Sequence, residues 1–216
     1  MLAKITSGAV VGLKATLIDV EVDIPGSSLP SFTIVGLPDK AVEESKDRVR
    51  SAIKNSGADF PGGRITVNLA PADLPKAGPA YDLPMALGIL IASGQIAPDV
   101  SSSLFFGELS LDGTLRHTNG ILSMAYLAKE KKFKNIFIPK INEKEAAVVS
   151  GVDVYSIESL LSLFRFFTKS VEIAPAPKIN LKSLLVKSDA EFDFSEVIGQ
   201  EQAKRALEIA AAGSHN

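Results

Sequence analysis

The sequence contains no cysteine, which excludes a disulfide framework, a thiol nucleophile and a cysteine-ligated zinc site together. Cytoplasmic residence is the expectation that follows. Histidine is nearly as scarce: only His117 and His215 occur, far apart and outside any H-E-x-x-H pattern, so a histidine-built metal site is not expected. Positive charge is not in excess either. Lys and Arg number 23 against 25 Asp and Glu, a formal charge of −2. That balance supplies no global field for nucleic acid, so DNA contact would need a local basic patch or a partner domain. The phosphate-cradling patterns G-x-x-x-x-G-K-S/T and G-x-G-x-x-G are absent. Long apolar runs are missing too. The best one, from Leu83 to Ala92, is about half the roughly 20 residues of a membrane-crossing helix. Lys14, Asp19, Glu21 and Asp23 break up the start of the chain, which does not read as a secretory leader.

What is present is a chain of 216 residues, 46% hydrophobic and 22% charged, able to bury a core. Thr16, Ile18, Val20, Val22 and Ile24 alternate with Asp19, Glu21 and Asp23, the period of a half-buried strand. Ser31 to Val35 and Arg64 to Leu69 are β-branched runs fenced by Gly or Pro. Between them Asp39 caps a helix whose narrow face is Val42, Ser45, Val49, Ala52 and Ile53 and which Gly57 ends. Its Lys40, Lys46, Arg48, Arg50 and Lys54, interleaved with Glu43, Glu44 and Asp47, read as a solvated face. A proline-rich loop then leads to an almost wholly apolar helix ending at Gly94. Leu104 to Leu109, Thr114 to Arg116 and Asn135 to Ile138 are expected strands, the first two joined by the hairpin signal Leu111-Asp112-Gly113. Helices are expected over Ile121 to Lys132 and Ile157 to Phe166, with a strand over Val152 to Tyr155.

The pattern is that of one α/β domain, a mixed sheet with flanking helices, over residues 1–168. The proline-alternating Ile173-Ala174-Pro175-Ala176-Pro177-Lys178 opens a linker placed at 169–193. Residues 194–216 hold one helix from about Glu201 to Ala212, which cannot fold alone, so this sequence is expected to come from something longer. A Ser-His-Asp site would have to use His117, without a G-x-S-x-G elbow elsewhere. Asp73, Asp82, Glu108 and Asp112 are expected to serve caps and turns. Lys129, Lys131, Lys132 and Lys134, opposed locally by Glu130 alone, form the densest basic cluster, at a helix end, and are the candidate DNA contact.

Several blocks together carry a resemblance. They are Gly36-Leu37-Pro38-Asp39, Glu44 to Ala52, Ala72-Asp73-Leu74-Pro75-Lys76, Tyr81 to Leu87, Gly107 to Gly113 and Gly199 to Gly213. In this order they resemble the ComM/YifB family of magnesium-chelatase-like AAA+ ATPases. The resemblance implies a domain similar to the Lon protease domain, with its ribosomal-protein-like α/β topology, then a linker, then an AAA+ module of which 194–216 is the truncated start. It implies a homo-hexameric, ATP- and Mg-dependent motor that migrates DNA branches in natural transformation, with its own AAA+ module and DNA as partners and no membrane. Val197, Ile198, Gly199 and Gln200 match the AAA+ stretch that contacts adenine, and the Walker A loop would follow Gly213 to Asn216. No cofactor is expected on this chain itself.

The Lon likeness also raises a Ser-Lys peptidase. Pro75-Lys76-Ala77-Gly78-Pro79-Ala80 aligns with the serine motif and Asn119-Gly120-Ile121-Leu122 with the lysine motif. The nucleophile position is then Ala80 and the base position Leu122, side chains that can neither attack nor take a proton. A non-catalytic role in ring assembly or in binding DNA or a partner is the expectation. A chelatase or protein-remodelling ATPase is the alternative.

Overall fold

The computed structural model describes residues 1–26, 29–180 and 193–213. The stretch 181–192 of the expected linker and residues 214–216 lie outside them. Two units are resolved, Met1–Ile179 and Asn180–Asn216.

In the first unit the strands are β1 (Leu2–Val11), β2 (Lys14–Asp23), β3 (Ser31–Val35), β4 (Arg64–Ala70), β5 (Ser103–Phe105), β6 (Glu108–Leu109), β7 (Leu115–Arg116), β8 (Asn135–Pro139) and β9 (Asp153–Ile157). Helices α1 (Lys40–Glu43), α2 (Ser45–Asn55), α3 (Asp82–Ala92), α4 (Ile121–Glu130), α5 (Glu143–Ala147) and α6 (Leu160–Phe167) lie between and after them. Seven strands form a mixed sheet in the order β3-β4-β2-β1-β5-β8-β9. The pairs β1–β2 and β2–β4 are antiparallel, and the other neighbours run parallel. β6 and β7 make a separate hairpin.

Alternation along the strands sends neighbouring residues into two cores. Leu104 and Ile136 join α4 and α5 in one, while Phe105 and Phe137 join α3 and α6 in the other, so helices cover both faces. The expected alternation of β2 is present, with Ile18, Val20 and Val22 fully buried. α3 lies on β1 and β2 at close range: a Cβ at Gly88 would stand 2.5 Å from Val22 Cγ2, so only glycine lets the helix approach this near. Its apolar composition follows from burial all round, and Pro84 fits within its first turn.

The structure departs from the sequence reading in four places. β1 was not foreseen. The helix after Asp39 is not continuous, because Arg48 Nη2 donates to the Ala41 carbonyl at 3.0 Å and Ser45 Oγ also turns to it, which splits α1 from α2. The expected strand Leu104–Leu109 is two, since at Phe106 and Gly107 the backbone amides turn to the carbonyls of Phe137 and Ala80. And the compact unit runs past residue 168 to Ile179. Ala176 is buried, its amide donates to the Val154 carbonyl at 2.7 Å, and the Ile179 amide donates to Ala147, so the proline-alternating stretch is docked along β9 rather than free.

Among the described residues of the second unit there is one α-helix, α7 (Glu201–Gly213), after a 3-10 turn at Phe194–Glu196, and none of them is buried. Among the described residues no helix is long and apolar enough to cross a membrane.

Candidate functional site

The two positions aligned with a peptidase dyad sit at the ends of two short loops. Ala80 lies in a single 3-10 turn, Pro79–Tyr81, that leads into α3. Leu122 is in the first turn of α4, which starts from the left-handed Gly120. Ala80 is 8% exposed and lines a cavity of about 350 Å³ with Gly8, Glu108, His117 and Asn119 among its walls. Leu122, 39% exposed, lines a different cavity, of about 580 Å³, with Leu13, Lys14 and Tyr126. The structure therefore does not bring positions 80 and 122 into one pocket.

Among the described residues no serine and no lysine lines the cavity at Ala80. The Thr118 hydroxyl there is engaged, accepting from the Glu108 amide at 3.2 Å and donating to the Arg116 carbonyl at 3.1 Å. Burial pushes the Tyr81 phenol well above its ordinary range. Lys76 is fully buried, its ammonium donating to the Pro71 carbonyl, and burial holds its pKa below the usual lysine value. It is not part of the cavity wall. Glu108 and His117 also line the cavity, with no serine or lysine beside them among the described residues.

Around this cavity the frame is densely bonded. Asp82, two residues beyond Ala80, is fully buried. Arg48 Nε donates to its Oδ2 at 2.7 Å and Nη2 to its Oδ1 at 3.2 Å, while the Leu109 amide donates to Oδ2 at 3.2 Å. The pair ties α2 to α3 and to β6. The bonded carboxylate raises the Arg48 pKa, and burial raises that of Asp82 against the pull of the guanidinium. Both sequence readings fail here: Arg48 does not belong to a solvated face, and Asp82 is an ion-pair partner rather than a cap. A lone carboxylate heading a helix that is apolar all round is the signal that a partner must exist.

A second set of bonds fixes the start of α4. Asn142 accepts from the Thr118 amide at 3.0 Å and donates to the Thr118 carbonyl at 3.1 Å and to Glu145 Oε2 at 3.0 Å. Glu145 Oε1 accepts from the Leu122 amide at 2.9 Å. These residues and α5 were missed, although Asn142 followed three places later by Glu145 is a helix-start pattern. Asp112 does serve a turn, accepting from the Thr114 amide at 2.9 Å, which holds its carboxyl below the usual range.

Lys129, Lys131, Lys132 and Lys134 are all exposed where α4 ends before β8. Lys178 joins them: its ammonium donates to the Val152 carbonyl, next to Gly151, where an added Cβ would lie 3.9 Å from Lys129 Cε. The opposition is stronger than sequence proximity suggests. Lys131 pairs with Glu130 at 3.0 Å, and Lys134 acts on the Asp99 carboxyl, which sequence proximity does not reveal.

Val197, Ile198, Gly199 and Gln200 are exposed ahead of α7, Ile198 at 96%. With no phosphate-cradling loop in the sequence, the residues present do not fit ATP and Mg by themselves. Among the described residues no three His, Cys, Asp or Glu side chains are grouped to hold a metal ion.

Comparison with known proteins agrees with these blocks. Residues 20–142 match the family of subunit ChlI of Mg-chelatase, and residues 193–216 match the magnesium chelatase subunit ChlI family. Competence protein ComM of Haemophilus influenzae is 44% identical over 217 residues, covering 100% of this chain and 42% of that protein. YifB of Escherichia coli is 44% identical over 210 residues, 96% of this chain and 40% of its own length. A weaker likeness, 25% over 143 residues, covers 63% of this chain and 14% of the Lon protease of Mycoplasmopsis agalactiae. The chain thus spans less than half the length of the ComM and YifB proteins it matches. It belongs to the family of subunit ChlI of Mg-chelatase, with ComM and YifB proteins among its relatives.

Proposed function

We propose that this chain is the non-catalytic, binding part of a hexameric AAA+ ATPase of the cytoplasm that drives DNA branch migration when DNA is taken up. ATP and Mg belong to the ring module that follows it in the longer protein, and the domain here helps assemble the ring or holds DNA. The observation that carries the reading is the cavity at Ala80, which keeps a wall of glycines and loops but, among the described residues, offers no serine or lysine, while Leu122 lines a separate cavity. A site shaped this way can bind and cannot form an acyl-enzyme. The likeness to a protein named for competence supports the DNA reading. The exposed lysines at 129, 131, 132 and 134, with Lys178, supply the surface for phosphates.

The ChlI match favours a second reading, a metal-insertion or protein-remodelling ATPase. Binding to DNA that weakens with salt separates the two. The peptidase alternative is tested by incubating the chain with an unfolded protein and following fragments by mass spectrometry. No cleavage is expected. Cleavage that survives repurification and changes with substitutions in the Ala77–Ala80 loop would overturn the non-catalytic reading.

A further inference from the structure

The two edges of the sheet are treated differently. At β9 the outer edge is closed by the docked segment, with the Ala176 amide on the Val154 carbonyl. At β3 the ladder ends: β4 is its only neighbour among the described residues, and the outer row of backbone donors and acceptors faces outward. Proteins normally blunt such an edge with lysine, an inward charge, a bulge or an internal proline. β3, Ser31-Phe32-Thr33-Ile34-Val35, has none of these, and no charged residue occurs from Ile24 to Pro38. Leu29 and Leu37, beyond the two ends of the strand, are 85% and 57% exposed. Pro30 and Pro38 bound the stretch that can pair.

The pattern is self-complementary about Thr33. In an antiparallel pair of two such strands Thr33 faces Thr33, Phe32 faces Ile34 and Ser31 faces Val35. Every opposed pair is uncharged, and Phe32 opposite Ile34 is a favourable aromatic and β-branched pair. Beneath the edge, Phe32 leans on Phe60 with ring centroids 6.1 Å apart, and Arg50 lies over the Phe60 ring at 4.9 Å, so the apolar floor is already held in place. Beyond the strand, Gly36 fixes where pairing stops. Its φ is +104° and a Cβ there would lie 2.1 Å from the Leu69 carbonyl oxygen, which pins the chain end to β4.

We propose that the β3 edge docks a second copy of this chain, antiparallel and two-fold symmetric about Thr33, joining the two sheets. The partner is the same strand because its sequence complements itself and no charge opposes the pairing. A two-fold contact is isologous and does not close a six-membered ring, so it is separate from ring assembly. A strand pair this short buries less than about 1,200 Å², so the dimer is weak and forms only as concentration rises.

Sedimentation velocity over a concentration series tests the association, with Thr33→Lys and Thr33→Glu as variants. Thr33 is exposed, so both should keep the wild-type melting curve. The wild type should dimerise, each variant alone should do so at least about tenfold more weakly because like charges face each other, and an equimolar mixture of the two should recover pairing. The absence of native cysteine adds an independent readout. Thr33→Cys should form a disulfide-linked dimer on mild oxidation much faster than Ser31→Cys, whose thiols the two-fold keeps apart. A wild type that stays monomeric, including one that captures only a foreign peptide, overturns the proposal. So do variants that associate like the wild type, or a Ser31→Cys chain that cross-links as fast as Thr33→Cys.

Discussion

Ala80 and Asp82 stand two residues apart at the head of α3, and they show opposite fates of one loop. Ala80 lines a cavity with no serine or lysine among its described residues, and Leu122 lines another. Asp82 is fully buried, held by Arg48 and the Leu109 amide. The positions that the Lon likeness aligns with a dyad carry small or apolar side chains, while the frame behind them keeps an ion pair that is costly to disturb.

The comparison breaks most visibly at the ion pair. Asp82→Ala leaves the Arg48 guanidinium, 20% exposed, without its carboxylate, and Arg48→Ala leaves a buried carboxylate alone. Each should lower the unfolding free energy by about 3–5 kcal/mol, whereas Ala80→Ser should change it by under about 0.5 kcal/mol. Urea denaturation of the two single variants and the double variant Arg48→Met with Asp82→Leu checks this, the double variant recovering most of the loss. Equal effects at 80 and 82 would erase the contrast.

A smaller loss is expected at the second brace. Asn142→Ala strands the Thr118 amide and carbonyl, both bonded to Asn142, and should cost about 1–3 kcal/mol by the same measurement. Loosening should appear as faster hydrogen exchange at the first turn of α4, which Glu145 and Asn142 brace.

The smallest effect is a slope. Lys76 has its pKa lowered by burial, so between its folded value and the unfolded 10.5 the unfolded chain binds the extra proton. Its contribution to stability is therefore least favourable at neutral pH and improves as pH rises toward 10.5. Lys76→Met lacks that titration. The difference in unfolding free energy, wild type minus variant, should grow more favourable to the wild type between neutral and alkaline pH. A flat or falling difference would mean that the ammonium is not penalised by its site.

The order of most strands and helices was legible because their apolar periods are clean: β2, β4 and the face Val42-Ser45-Val49-Ala52-Ile53 behave as their spacing dictates, all five of the latter buried. β1 was not legible. Its inward residues include Ala3, Ser7 and Ala9, and Gly8 admits Met124, so a strand buried by close packing carries little hydrophobic contrast. Long-range pairs were invisible for a plainer reason. Arg48 resembles its exposed neighbours on the helix until α3 places Asp82 against it. The same holds for Lys178, read as linker and found bonded to Val152 beside the α4 lysines. The two aligned motifs point to residues 80 and 122, and only the fold shows that these residues line separate cavities.

The account rests on binding rather than turnover, and the lysine corner is where that is measured most directly. Fluorescence anisotropy of single-stranded and branched DNA against the chain, from roughly 50 to 200 mM salt, should show weak, sequence-independent affinity. For about four phosphates neutralised, that affinity should fall roughly a hundredfold over the range. Lys131→Glu, Lys132→Glu and Lys134→Glu together should abolish it with the melting temperature unchanged, since all three side chains are exposed. A triple variant that binds as the wild type does, with the same salt slope, would contradict the account and move the DNA path to the ring module.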